Sequence, residues 1–195
     1  MGNLDLNRLK EKAYKCACEH GFHDTEYSDE HWLMLTICEI GEAVEADRKN
    51  RHADSSMFNH QGFEPESDAS VFMEIFEKSV KDTVEDELAD IVIRLLDFAG
   101  MKNISLDKGV LLPLGAEMMK DCANGKVTSL PKLGFTTCKI LCRYSDLEPE
   151  SVVYGVLLLI LFYCKMNDID LTWHIDQKMR YNELRPHKNG KEYNP

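Results

Sequence analysis

The stretch that decides the fold is ELADIVIRLLDFAGMKNISL, residues 87–106. Its apolar residues recur every three or four positions, the spacing at which side chains share one face of an α-helix. The same turns carry Glu87, Asp90 and Arg94, which this spacing places together on another face. We therefore predict a long helix over about residues 71–101, with one side in the core and the other available for chemistry. The buried stripe of this predicted helix consists of Val84, Leu88, Ile91 and Leu95.

The same spacing extends over most of the chain, and signals for β-strands are weak throughout. A helix is predicted over residues 4–19, ending before Gly21, and a second from the N-cap residue Ser28 to about residue 50. Residues 51–70 lack periodicity and contain Gly, Pro and small polar residues, so a flexible insertion is predicted there. A chain of 195 residues is long enough for one compact core. We predict a single all-α domain over residues 1–195, a bundle of about five to six helices.

The later part of the chain repeats the pattern of the earlier part. Residues 87–106 match VVYGVLLLILFYCKMNDIDL, residues 152–171, without a gap, and TICEIGEAVE, residues 36–45, matches TTCKILCRYS, from Thr136 or Thr137 onward. The apolar pattern is kept, whereas the acids Glu39, Glu42, Glu87 and Asp90 are replaced by Lys139, Cys142, Val152 and Gly155. We predict an internal pseudo-duplication of a helix pair, to which chance similarity between amphipathic helices is the alternative.

Two acidic steps, Glu39-Ile-Gly-Glu42 and Glu87-Leu-Ala-Asp90, lie in stretches that contain no Lys or Arg, residues 28–47 and 82–93. Acids three residues apart lie on the same side of a helix, so two packed helices would turn four carboxylates toward one cavity. Oxygen ligands of this kind are those that Mg²⁺ prefers. A solvated acidic face is the alternative for either step alone, but the apolar neighbours of both steps favour a bound cation.

Basic and polar residues near the C-terminus recur at helical spacing on one face, an arrangement suited to non-bridging phosphate oxygens. These residues are Lys178, Tyr181, Asn182 and Arg185. The alternative is a surface helix with a basic tail. Trp32 lies seven residues before Glu39 and is a candidate for stacking against a base, although a place in the core is the commoner role of a tryptophan.

These motifs resemble the MazG-like branch of the all-α nucleoside triphosphate pyrophosphohydrolases, which is related to the dimeric all-α dUTPases. The resemblance covers about residues 29–50, 71–106 and 170–193. It departs at Cys38, where the family often has a further acid, and in the long gap between the two acidic steps. The segments that carry it are the two steps, Lys81-Asp-Thr-Val-Glu-Asp-Glu-Leu-Ala-Asp90-Ile, and the ending Lys178-x-x-Tyr181-Asn182-x-x-Arg185-Pro186 followed by His187-Lys188-Asn189-Gly190-Lys191-x-Tyr193.

The resemblance implies Mg²⁺-dependent hydrolysis of (deoxy)nucleoside triphosphates to the monophosphate and pyrophosphate, with Mn²⁺ as a substitute ion and a homodimer as the assembly. Such an activity would serve the cleaning of the nucleotide pool. Glu39 or Glu42 would orient the attacking water, and Lys188 and Lys191 would extend the phosphate-binding set. The implied metal ligands are Glu39, Glu42, Glu87 and Asp90. The alternative is a non-catalytic helical oligomeric interaction module descended from such an enzyme, in which the acids are surface charge.

Charge, apolar runs and cysteine spacing indicate which binding partners and which cellular location to expect. A net charge of −11 argues against nucleic acid or an anionic membrane as the partner. The longest apolar run, residues 152–164, is shorter than the roughly 20 residues that span a bilayer, so a buried helix is predicted. Seven cysteines without the paired spacing of a zinc site are predicted to be reduced core residues of a cytoplasmic protein. The histidines His20, His23 and His31 are predicted to be surface or capping residues.

Overall fold

The computed structural model describes residues 5–60, 68–106 and 129–187, and every regular element within them is helical. The all-α prediction is confirmed for this part of the chain. The described α-helices outnumber the expected five to six, because one predicted helix is divided and a short one forms in the predicted insertion. They are α1 (Leu6–Glu19), α2 (Asp29–Arg48), α3 (Ser56–His60), α4 (Ala69–Ser79), α5 (Val84–Met101), α6 (Leu130–Leu141), α7 (Pro149–Met166) and α8 (Leu171–Leu184).

Helix α5 is the centre of the bundle. It packs against α1, α2, α7 and α8, and Leu88, Leu95 and Leu96 on it are completely buried. The stripe predicted from the sequence therefore lies in the core, where burial of each large aliphatic side chain contributes about 1.5–3 kcal/mol. Because α5 is surrounded on several sides, polar side chains on its remaining face are carried into the interior of the molecule.

The single helix predicted over residues 71–101 is wrong in one respect, because it is interrupted between α4 and α5. Asp82 adopts a left-handed conformation with φ of 58°, which a continuous α-helix does not allow. Thr83 then acts as the N-cap of α5 by accepting a hydrogen bond from the backbone N–H of Asp86. The interruption brings Lys81 and Asp82 to the edge of the cavity described below.

The predicted insertion, residues 51–70, is partly helical. Its residues 56–60 form α3, and Phe58 of α3 packs edge to face against Phe72 of α4 and Trp173 of α8. These aromatic rings belong to a second, smaller core between α3, α4 and α8. Residues 61–67 lie outside the described part of the chain, so the prediction of flexibility stays a prediction there.

One helix of each pair agrees with the predicted internal duplication, which stays a prediction because α2 has 20 residues and its counterpart α6 has 12. Helices α5 and α7 are both 18 residues long and begin and end at positions that correspond in the gapless sequence match. Beyond each helix one residue has a left-handed conformation, Asn103 with φ of 53° and Asp168 with φ of 55°, and these positions also correspond. Helix α2 packs against its counterpart α6, and α5 against its counterpart α7. This is the contact pattern of a two-fold interface, here formed within one chain.

Helix α7 contains the longest apolar run. By length and composition, with a mean hydropathy of 1.5, it is apolar enough to cross a membrane, yet half of it is buried inside the bundle. Val152, Val153 and Ile160 are completely buried against the rest of the fold, so the prediction of a buried helix is confirmed and the core accounts for its apolar character.

The cysteines depart from the prediction. The six in the described residues are free thiols, and Cys164 is buried as expected for a core residue. Cys18, Cys38 and Cys142 are exposed, so the prediction that the cysteines belong to the core is wrong for these three.

Candidate functional site

A cavity of about 360 Å³ opens between α1, α2, α5 and α8 and receives most of the residues that the sequence singles out. Its lining is strongly charged, with acids in excess over bases. The acidic residues of the lining are Glu39, Glu42, Asp82, Glu87, Asp90 and Asp97. The basic residues of the lining are Lys81, Arg94, Lys178 and Arg185.

Three of the four predicted metal ligands converge in this cavity. One carboxylate oxygen from each of Glu39, Glu42 and Glu87 lies within 4.8 Å of the other two. Glu39 and Glu87 are 9% and 3% exposed, whereas Glu42 is exposed at the rim. A cation bound here would therefore have two ligands from the interior and one from the side that faces solvent.

Local sequence explains why Glu87 is held inside. The Thr83 cap starts α5 four residues earlier, and the backbone N–H of Glu87 donates to the Thr83 carbonyl oxygen over 2.9 Å. Glu87 thus lies in the first turn, where the positive end of the helix dipole favours a carboxylate. The neighbouring Leu88 and Ile91 are buried against the core and fix the rotation of the helix.

Asp90, the fourth predicted ligand, is engaged by a lysine. The Nζ of Lys178 lies 2.7 Å from Asp90 Oδ2 and 2.8 Å from Asp86 Oδ2, and Lys178 is 5% exposed. One ammonium group is thus shared by two carboxylates in a buried position. Lys178 was predicted to bind phosphate; the structure places it in the lining, but with its charge already matched inside the protein.

Arg94 forms the second ion pair of the cavity. Its Nε and Nη2 both lie 3.0 Å from Glu39 Oε1, which joins α5 to α2. One oxygen of Glu39 is therefore occupied by the guanidinium. Glu87, in contrast, forms no ion pair with any residue that the structure describes.

The protonation of these acids follows from their surroundings. Burial, together with the charges of Asp90 and Asp86, raises the pKa of Glu87 to about 9. Burial and the Asp90 charge also raise the pKa of Glu39, against the opposing effect of Arg94. Burial raises the pKa of Asp86 to about 7 although Lys178 lowers it. Without a cation, the carboxylates are crowded enough to retain protons that an exposed acid would lose.

The predicted phosphate-binding residues divide into three groups. Lys178, Asn182 and Arg185 line the cavity, and the guanidinium of Arg185 forms no ion pair within the described residues. Tyr181 is directed elsewhere: it is buried in the second core, stacks on Phe76 and donates its hydroxyl hydrogen to Glu77 Oε1 over 2.9 Å. Lys188 and Lys191 lie outside the described part of the chain.

Trp32, the candidate for base binding, lies one layer behind the cavity. It is buried, is absent from the lining and stacks on the ring of His23 with a centroid distance of 4.6 Å. The Nε2 of His23 lies 2.7 Å from Oδ1 of Asp97, which does line the cavity. The tryptophan thus reaches the site only through a histidine and an aspartate, and the prediction that His23 is a surface or capping residue is wrong.

Several residues of the lining were missed in the sequence. Asp97 lies seven residues after Asp90, and this two-turn spacing on a helix was a signal for a shared face. Ala13, Cys16 and Ala17 of α1 also line the cavity, but their residue types give no indication of a site. Asp86, which does not line the cavity but pairs with Lys178 of the lining, carried no distinguishing signal, because Lys178 is distant in sequence.

Neither protein-family models, nor curated proteins, nor solved structures gave a match to this chain. Its function is therefore inferred from the geometry and electrostatics of the cavity.

Proposed function

We propose that the chain is a Mg²⁺-dependent pyrophosphohydrolase of (deoxy)nucleoside triphosphates, which converts the triphosphate and water to the monophosphate and pyrophosphate. The observation that carries the proposal is the convergence of Glu39, Glu42 and Glu87 in a cavity that basic residues also line. A cluster of carboxylates attracts divalent cations, and basic residues attract phosphate. The combination suits a substrate that is bound through both its charge and its metal ion.

The donor set fits the proposed ion. Mg²⁺ prefers carboxylate and water oxygens in octahedral coordination and keeps several of its waters, so three or four protein carboxylates are sufficient. Mn²⁺ accepts the same oxygen ligands. In the proposal Lys178 exchanges Asp90 for a phosphate oxygen, which leaves Asp90 as the fourth ligand beside Glu87. The ion would neutralise charge on the leaving pyrophosphate and activate the attacking water.

The remaining side chains of the cavity have roles that follow from their charge. Arg185 and Lys81 line the cavity and would contact phosphate oxygens, Lys81 in exchange for its pair with Asp82 at 3.0 Å. Asn182, also in the lining, would offer an amide donor. Glu42, exposed at the rim, is suited to orient water, with Glu39 as the alternative base. A cavity of about 360 Å³ lies within the range of small-molecule sites, roughly 300–1,000 Å³.

The direct test is pyrophosphate release from a panel of ribo- and deoxynucleoside triphosphates, with Mg²⁺, with Mn²⁺ and with EDTA. We expect release that requires the metal, and a monophosphate as the second product in mass spectrometry. Formation of a diphosphate and inorganic phosphate would contradict the proposed bond cleavage. An absence of release from every triphosphate would favour the non-catalytic interaction module.

The assembly is a separate part of the proposal. The resemblance implies a homodimer, whereas the packing of α6 and α7 on α2 and α5 forms a two-fold type of contact within one chain. Light scattering of the purified protein distinguishes the two. A monomer that retains pyrophosphate release would show that the second helix pair replaces the partner subunit.

A further inference from the structure

The cavity extends well beyond the three glutamates. Helix α5 contributes Glu87, Asp90, Ile93, Arg94 and Asp97 to its lining. At 1.5 Å per residue, the ten residues from Glu87 to Asp97 span about 15 Å along the helix axis. This length is comparable with that of a nucleotide extended from its phosphates to its base. The metal end and the far end of the cavity are therefore able to contact different parts of one nucleotide.

The far end has a different character from the metal end. Helix α1 runs along the Asp97 end of α5, since Tyr14 lies against Gly100 and Lys10 Nζ donates to the Ile104 carbonyl oxygen. It contributes Ala13, Cys16 and Ala17 to the lining, together with His20 and, beyond the helix end, Phe22. Ala13 and Ala17 are one helical turn apart, so their small side chains leave a flat apolar surface along α1. An aromatic ring system can stack against such a surface, whereas a triphosphate cannot be stabilised by it.

An acidic group, Asp97, lies at this end of the cavity. Asp97 lies two helical turns after Asp90, so both are on the face of α5 that lines the cavity. The side chain of Asp97 is 9% exposed, and its Oδ1 is bound to His23 Nε2 at 2.7 Å. His23 is in turn held between Trp32, on which it stacks, and Tyr14, which meets it edge to face at 5.0 Å. The aspartate is therefore oriented by a packed support.

We propose that Asp97 is a specificity-determining residue that selects nucleotides whose base carries an exocyclic amino group. This inference rests on the proposed function and specifies its substrate class. With Oδ1 held by His23, the other oxygen of Asp97 accepts a hydrogen bond from the amino group. Trp32, the candidate for stacking on the base, instead supports the group that is proposed to recognise it.

The chemistry of the bases gives the direction of the selection. Cytosine, adenine and guanine each present an N–H₂ group at the ring edge, which a carboxylate oxygen accepts. In uracil and thymine the corresponding position is a carbonyl oxygen, and the single ring N–H lies between two carbonyl groups. When a carboxylate that is only 9% exposed meets carbonyl oxygens, its free oxygen is left without a donor, which is costly. The preference should therefore be for amino bases over keto bases.

The closest matched pair of ligands is dCTP and dUTP, which differ in the amino and carbonyl groups at one ring carbon. We expect the protein with Mg²⁺ to favour dCTP in kcat/KM by roughly ten- to a hundredfold, as one hydrogen bond to a charged group allows. Asp97→Asn replaces one oxygen by an amide donor while keeping the side-chain shape. It should reduce this ratio to about one or reverse it. Asp176→Asn, an exposed change on α8, is the matched control and should leave the ratio unchanged.

A second measurement separates this inference from the proposed function. Binding of dCMP and dUMP by titration calorimetry requires no turnover, so the ratio of their affinities reports on Asp97 even if no triphosphate is cleaved. The ratio within each variant also cancels a general loss of folded protein. Equal binding of the two monophosphates by the original chain, or an unchanged ratio in Asp97→Asn, would overturn the role of Asp97. Cleavage of all triphosphates at the same rate would overturn it while leaving the pyrophosphohydrolase proposal intact.

Discussion

The helix pairs α2/α5 and α6/α7 share an apolar pattern and differ in chemistry, although α6, with 12 residues, is shorter than α2, with 20. At the position of Glu87 the second pair has Val152, which is completely buried, so the fold itself accepts an aliphatic side chain there. Gly155, also buried, takes the position of Asp90. Burying a carboxylate costs several kcal/mol unless it is paired, whereas burying a valine is favourable. The first pair therefore carries a destabilising cluster that the architecture does not require, and the proposed cation would offset its cost.

Removing an acid that only the first helix pair carries should have its largest effect on catalysis. Glu42→Gln removes a charged oxygen from the proposed metal site while leaving the shape of an exposed side chain unchanged. We expect pyrophosphate release to fall by on the order of a thousandfold, as for removal of a group that stabilises the transition state. The assay is release from the best triphosphate at saturating Mg²⁺, with circular dichroism to show that the helices persist.

The second helix pair provides the control for this variant. Cys142 occupies the position that corresponds to Glu42 and is likewise exposed, so Cys142→Ser should leave release unchanged. Full activity of Glu42→Gln would remove this glutamate from the mechanism. A loss of activity in Cys142→Ser of the same size would show that the two pairs do not differ in function.

The comparison also shows how much the sequence predicted. Apolar spacing in α5 and α7 predicted their burial, because a helix of fixed period must turn such a stripe toward the core. The break at Asp82 was missed, since Lys81 and Asp82 do not interrupt the helical pattern and only the capping by Thr83 reveals the boundary. The convergence of Glu39, Glu42 and Glu87 followed from the spacing of two acidic steps on helices that pack together.

Long-range partners were not predictable from spacing. Lys178 is 92 residues away from Asp86, and its position depends on how α8 lies across α5. Likewise, Tyr181 falls on the same helical face as Lys178 by spacing, yet the aromatic cluster around Phe76 draws it into the second core. Pairing across the bundle therefore decided which of the predicted phosphate-binding residues reach the cavity.

The next-largest effect is expected on stability, when the buried lysine that neutralises two acids of α5 is removed. Lys178→Met leaves Asp86 and Asp90 without their buried counter-charge, and removal of one partner of a buried pair costs about 3–5 kcal/mol. We expect chemical denaturation to show a loss of this order. Lys165→Met on α7, where the lysine is exposed, is the matched control and should have little effect. Because the destabilisation arises from the unpaired acids, adding Asp86→Asn to Lys178→Met should restore part of the lost stability.

A smaller effect is expected in the pH dependence of stability. The pKa of Glu87 is raised from 4.5 to about 9 in the folded state, because the side chain is buried and lies beside Asp90 and Asp86. The folded protein thus holds this proton more tightly than the unfolded chain. The resulting stability is complete below about pH 4.5 and is lost as the pH rises through 9. In EDTA, Glu87→Gln should unfold at a higher temperature than the original chain at pH 8, by on the order of 1 kcal/mol or roughly 2–4 °C.

Magnesium should favour the original chain over Glu87→Gln in unfolding temperature. A ligand that binds only the folded state raises the unfolding temperature, and Glu87→Gln would bind the ion more weakly. We therefore expect the original chain to gain more from Mg²⁺ than the variant does. Equal melting temperatures of the two proteins at pH 8, both in EDTA and in Mg²⁺, would contradict both points. They would show that burying the Glu87 carboxyl group costs no stability and that Glu87 does not bind the ion.

The smallest effect is expected at the contact between the two helices of the first pair. The position of Arg94 corresponds to Leu159 of the second pair, so Arg94→Leu introduces the residue of the pair that lacks the four acids of the proposed site. Glu39, which is buried, then loses its partner, but burial already raises the pKa of its carboxyl group, so it can take up a proton. The expected loss of stability in EDTA is therefore about 1 kcal/mol. Lys49→Leu, which breaks an exposed pair with Glu45, should cost less. Because Mg²⁺ no longer competes with the guanidinium for Glu39, the rise in melting temperature on adding the ion should be larger in Arg94→Leu than in the original chain. A smaller rise would mean that Arg94 helps to hold the proposed metal site in place.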